Sequence, residues 1–117
     1  MMGRDKPRIL CVSRSSSKLA ALCAALPSRE YEIVAATTPE QAVAVCVNNN
    51  LAAVVLDSEF STETGWSAAQ TFKMVKPQLP VVLLGHDHQQ QPPHGVDAIA
   101  LDHSAIQQKL NALLNRS

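Results

Sequence analysis

The sequence predicts a single doubly wound α/β domain, a five-stranded parallel sheet with helices on both faces. Three observations predict it. Short apolar runs alternate with segments of helical periodicity along the 117 residues, the pattern of repeated β–α units. The run Leu51-Ala52-Ala53-Val54-Val55-Leu56 is apolar without alternation, as in a central parallel strand covered on both faces. Helix-start signals stand between such runs, at Thr38-Pro39-Glu40-Gln41 and Ser104-Ala105-Ile106-Gln107, where a hydroxyl is followed three residues later by Gln.

The elements follow in order. Arg8 to Val12 is a run of strand length, and Ser13 to Ser17 supply a polar loop and a helix cap. Leu19, Leu22, Cys23 and Leu26 fall at i, i+3, i+4 and i+7, one buried stripe, and Pro27-Ser28 end that helix. Tyr31 to Ala36 reads as the second strand. The second helix begins with Thr38 as cap and Pro39 at its first position. Its predicted apolar face is Ala42, Val43, Cys46 and Val47, and Asn48-Asn49-Asn50 stop it, since Asn tolerates left-handed backbone.

After the central strand come Asp57, a polar loop to Glu63, and a third helix from about Gly65 to Val75, closed by Pro77. Pro80 to Leu84 is the fourth strand and Ile99 to Leu101 a weak fifth. Ser104 caps the last helix, which is striped by Ile106, Leu110, Leu113 and Leu114. In such sheets ligands bind beyond the carboxyl ends of the strands. Asp57, one step past the most apolar strand, is therefore the leading site residue.

Composition narrows the function. Formal net charge is zero and only 17% of residues are charged, so no overall field draws the chain to nucleic acid or an anionic membrane. The light basic enrichment near the start (Arg4, Lys6, Arg8, Arg14, Lys18) has no interleaved aromatics and reads as a solvated end. Cys11, Cys23 and Cys46 lie in apolar stretches without metal or redox spacing, so they are expected to be reduced, buried and inert. No signal-peptide core or membrane-length apolar run is present, and a cytoplasmic location is expected.

Ile9-Leu10-Cys11-Val12, Val54-Val55-Leu56-Asp57, Gly65 eight residues past Asp57, Pro80-Val81-Val82-Leu83-Leu84 and Gly95-Val96-Asp97-Ala98 together resemble the bacterial response-regulator receiver domain, over nearly the whole chain. The resemblance implies a flavodoxin-like sheet of order 2-1-3-4-5. It also implies a part in two-component phosphorelay signalling, with Asp57 as phosphoacceptor or its relic and a histidine kinase or other signalling protein as partner. Phosphoryl transfer in that family uses Mg²⁺ held by an acidic pair after the first strand, a hydroxyl after the fourth and a lysine after the fifth.

This sequence departs from the family at each accessory position. Ser13 and Arg14 replace the acidic pair, Gly85 replaces the hydroxyl, and Asp102-His103 stand where the lysine is expected. Glu59 lies where the family's backbone carbonyl meets the metal, and His86 borders the site after Gly85. With so few acidic ligands, Mg²⁺ is a cofactor only if phosphorylation is retained. Arg14 is expected to pair with Asp57 directly. The reading is a degenerate pseudo-receiver acting through protein contacts, not an enzyme; the alternative is a functional receiver phosphorylated on Asp57.

The connection Gly85 to His94 is about half the length the family uses and carries two prolines, so the fourth helix of the family is expected to be shortened or missing. Part of the sheet or last helix then lacks its cover, which favours a homodimer or a bound partner. A third reading of another class is a metal-binding module in which His86 and His88 are the ligand candidates, joined by His94, His103 or Asp102; the plainer reading is a solvated polar loop. A phosphatase using Asp57 lacks the second Asp such enzymes place where Glu59 stands.

Overall fold

The computed structural model describes residues 6–57, 68–84 and 96–114. Five strands, β1 (Arg8–Val12), β2 (Glu32–Ala36), β3 (Ala53–Leu56), β4 (Val81–Leu84) and β5 (Ala98–Ala100), form one sheet in the order β2-β1-β3-β4-β5. Every pairing is parallel, with Cys11 beside Ala35 and Val55, and Leu83 beside Leu56 and Ile99. Four helices are found among the described residues: α1 (Ser16–Ala24), α2 (Pro39–Asn48), α3 (Ala68–Val75) and α4 (His103–Leu114).

Side chains on a strand point alternately to opposite faces, and here each face has its own core. Leu10, Val12, Val54, Leu56, Val81 and Leu83 pack with Ala42 and Cys46 of α2 and Phe72 of α3. Ile9, Cys11, Val55 and Val82 pack with Leu19 and Leu22 of α1 and Ile106 and Leu110 of α4. Burial on both sides is why β3 and β4 are unbroken apolar runs.

The caps differ in part from expectation. Gln41 N–H donates to Thr38 Oγ1 (3.1 Å), as predicted, but Gln41 Oε1 accepts from the Thr37 amide (2.9 Å), one residue before the cap. Asn49 ends α2 with extended backbone (φ −130°), not left-handed; its side-chain amide donates to the Val45 carbonyl at 3.0 Å. The inner face of α2 is Ala42, Val45 and Cys46, while Val47 is 58% exposed. At the start of α4 the cap is Asp102, not Ser104: Asp102 Oδ1 accepts from the Ala105 amide (3.0 Å) and the Ser104 hydroxyl (2.7 Å). A carboxylate accepts more strongly than a hydroxyl and complements the helix dipole.

Only residues 85–97 separate β4 from β5. The predicted shortening of the family's fourth helix falls largely on 85–95, outside the described residues. Gly65 and Trp66, at the predicted start of the third helix, also lie outside them. No helix among the described residues is long and apolar enough to cross a membrane.

Candidate functional site

The carboxyl ends of the strands carry the polar residues of the core. Among the described residues, Ser13 and Asp57 are the only polar or charged side chains that are buried, at 0% and 3% exposure. Both continue their strands: Ser13 N–H donates to the Ala36 carbonyl (3.2 Å) and Asp57 N–H to the Val12 carbonyl (3.1 Å). The β1–β3 register therefore sets the two side chains next to each other. Ser13 Oγ donates to Asp57 Oδ2 at 2.6 Å and accepts from the Ser15 amide at 3.2 Å. A short hydrogen bond to a carboxylate in a dry setting is of the strong, charge-assisted kind.

Asp57 opens onto a cavity of ≈ 330 Å³. Leu84 and Leu101 wall it from the β4 and β5 side, Asp102 and His103 from the start of α4, and Lys18, Ala21 and Leu22 from α1. The three α1 residues are at i, i+3 and i+4, hence on one helical face. Leu22, 1% exposed, pins that face to the sheet. Ser15 caps α1 through the Lys18 amide (3.4 Å), which fixes where Lys18 leaves the helix.

The sequence-predicted residues distribute as follows. Ser13, Asp57 and Asp102 come to one end of the sheet. Arg14 is exposed. The side chain that hydrogen-bonds to Asp57 from the end of β1 is Ser13, where Arg14 is the expected partner. The reason is register: Ser13 still pairs with β2 through the Ala36 carbonyl and stands beside Asp57, one residue beyond the Val12–Leu56 pair. Glu59, Gly85, His86 and His88 lie outside the described residues, as does His94.

Asp102 borders the cavity, yet its carboxylate is committed to the α4 terminus. Its pKa is held below the usual aspartate value, first by the Ser104 hydroxyl and then by the Ala105 amide. Sequence reasoning missed Lys18, which was grouped with a solvated basic end; its spacing from Leu22 on a capped helix was the available signal. It also missed Asp97, whose Oδ2 accepts from Lys73 Nζ (2.7 Å) and from the Val81 amide (2.8 Å) and so fixes the start of β4.

The cysteines are not uniformly buried. Cys11 and Cys46 are buried, but Cys23 is half-buried on α1. A hydrogen bond from the Cys11 thiol lowers the Cys23 pKa to about 7, while the same contact and burial push Cys11 up. Burial also raises Cys46.

No protein-family profile and no curated protein matches the sequence. Solved structures do. The chemotaxis response regulator CheY4 of Vibrio cholerae superposes with a TM-score of 0.78 at 17% identity, over 94% of this chain and 100% of that one. The fold is that of response-regulator receiver domains. The response regulator TrrA of Thermotoga maritima, solved with Mg²⁺ and BeF, matches this receiver fold with a TM-score of 0.77 at 24% identity, over 92% of this chain and 99% of that one. The receiver domain of a Pseudomonas aeruginosa sensor histidine kinase, solved with magnesium in its active-site cleft, matches at 0.78 and 16% identity over 96% and 100%.

Among the described residues, the donor set around Asp57 does not by itself make up the ligand shell of that metal. Mg²⁺ requires near-octahedral oxygen ligands and is held through carboxylates. At the end of β1 this receiver fold offers a neutral hydroxyl, and that hydroxyl already occupies one Asp57 oxygen. Among the described residues no group of three or more His, Cys, Asp or Glu side chains converges on a point.

Proposed function

We propose that this chain is a receiver-type signalling domain of a two-component pathway that acts through protein contacts, without Mg²⁺-dependent phosphoryl transfer at Asp57 and without turnover of its own. The fold supports the signalling class. The observation that carries the finer reading is the 2.6 Å Ser13–Asp57 hydrogen bond, made from the position where receiver domains carry a metal-binding carboxylate.

The chemistry follows from charge. Attack of a carboxylate on a phosphoryl group brings two anions together, and a divalent ion lowers that barrier by neutralising them. Ser13 supplies a proton to share, not a charge to bind a metal. A change in the site then has to reach other proteins through the surface, so the partner is a kinase or another signalling protein.

The test is incubation with a small phosphodonor such as acetyl phosphate, with Mg²⁺ in one arm and a metal-stripped buffer in the other, read by intact mass. The proposal expects the two arms to agree. A mass gain of one phosphoryl group that depends on Mg²⁺ and disappears in Asp57→Asn would overturn it.

A further inference from the structure

We propose that Lys18, reaching the Asp57 cavity from α1, is the cation that holds a phosphoryl group on Asp57 in place of a metal. The inference rests on the preceding reading, that the site has shed its Mg²⁺ ligands, and says what remains of it.

Three observations converge on Lys18. It borders the same ≈ 330 Å³ cavity that Asp57 opens into. Its helical face is fixed, since Leu22 is buried one turn on and Ser15 caps the turn before it. Across the cavity, the residue after β5 is Asp102, whose carboxylate is turned to the Ala105 amide and Ser104 hydroxyl and bears no positive charge. A phosphoryl oxygen in this cavity therefore meets the permanent cation from the α1 side, with the His103 imidazole lining the opposite side.

The step the site would host is balanced without a metal. An Asp57 carboxylate oxygen forms one bond to phosphorus as the bond from phosphorus to the donor breaks, and the donor leaves with that electron pair. Asp57 thereby exchanges its carboxylate charge for the phosphoryl group's, and the new negative oxygens need a charged donor nearby. An ammonium on a flexible stem provides one without fixed geometry. Leu22 and Leu84 are buried apolar walls of the same cavity and offer the phosphoryl oxygens no competing hydrogen-bond partner from their side chains.

Beryllofluoride is the probe, because the Asp57 carboxylate completes the beryllium tetrahedron and nothing has to leave. In metal-stripped buffer with excess fluoride, ¹H–¹⁵N spectra are expected to show saturable shifts of the Ser13, Asp57 and Lys18 amides. Lys18→Ala is expected to raise the half-saturating concentration roughly tenfold or more, and Lys18→Arg to keep it near wild type. Lys18 is exposed, so both variants are expected to unfold at the wild-type urea midpoint. Saturable binding that Lys18→Ala leaves unchanged, or no binding in either buffer, sinks the role of Lys18 and leaves the metal-independent reading standing. Binding that appears only when Mg²⁺ is added overturns both.

Discussion

Replacing Ser13 with Ala tests the contact on which the site is built. The hydroxyl is fully buried and makes one short bond to a buried carboxylate. Hydrogen bonds to charged groups contribute roughly 1.5–3 kcal/mol, and removing the donor leaves Asp57 to bear the desolvation of that oxygen. Ser13 also accepts from the Ser15 amide, next to the start of α1, so the loss is expected in the upper half of that range. For a chain of this size the shift is roughly 9–12 °C in Tm. Urea unfolding of wild type, Ser13→Ala, Asp57→Asn and the double variant measures the coupling directly. A coupling of about 1.5 kcal/mol or more is expected. A Ser13→Ala variant within about 0.5 kcal/mol of wild type, or a coupling near zero, would mean that the Ser13–Asp57 bond does not hold the site together, since surface-like changes are of that size.

Other predictions rest on different parts of the fold. Asp97→Ala should cost about 1–2 kcal/mol in urea unfolding and Lys73→Ala less than about 1, because Asp97 loses both the half-exposed ion pair and the acceptor for the Val81 amide. Iodoacetamide should label Cys23 first, with a rate that rises as pH passes about 7, while Cys11 and Cys46 react only on unfolding; equal labelling of all three in mass spectra would contradict this. Because the folded Asp102 pKa lies below its ordinary value, the cap is intact above that ordinary value and is lost as pH falls through the lower folded one. The Ala105 amide resonance should follow that titration, with a midpoint below 3.8.

Much of this fold was legible because its strands are long enough in apolar residues to be read without alternation, and its helix starts carry hydroxyl caps. Thr38 and Gln41 fix α2 by local chemistry alone, which a sequence displays directly. Asp57 was legible because it follows the most apolar run. What was less legible depends on competition between neighbours. Arg14 is the partner the sequence suggests for Asp57, and the pairing of Ser13 with Ala36, which continues β1 by one residue, sets the Ser13 hydroxyl on that carboxylate. Asp102 and Ser104 are both good caps two residues apart, and the carboxylate wins by accepting from the hydroxyl as well as the amide. Lys18 is traceable only through its spacing from buried Leu22 on a capped helix, whereas Asp97 gains its place from Lys73 and the Val81 amide, partners distant in sequence that no local pattern reveals.

Whether Asp57 works without a metal is decided by titrating Mg²⁺ into the wild-type protein and following the Ser13 and Asp57 amides. No saturable shift is predicted, because the Ser13 hydroxyl holds the oxygen a metal would need. A saturable shift at both amides, absent in Asp57→Asn, would contradict it.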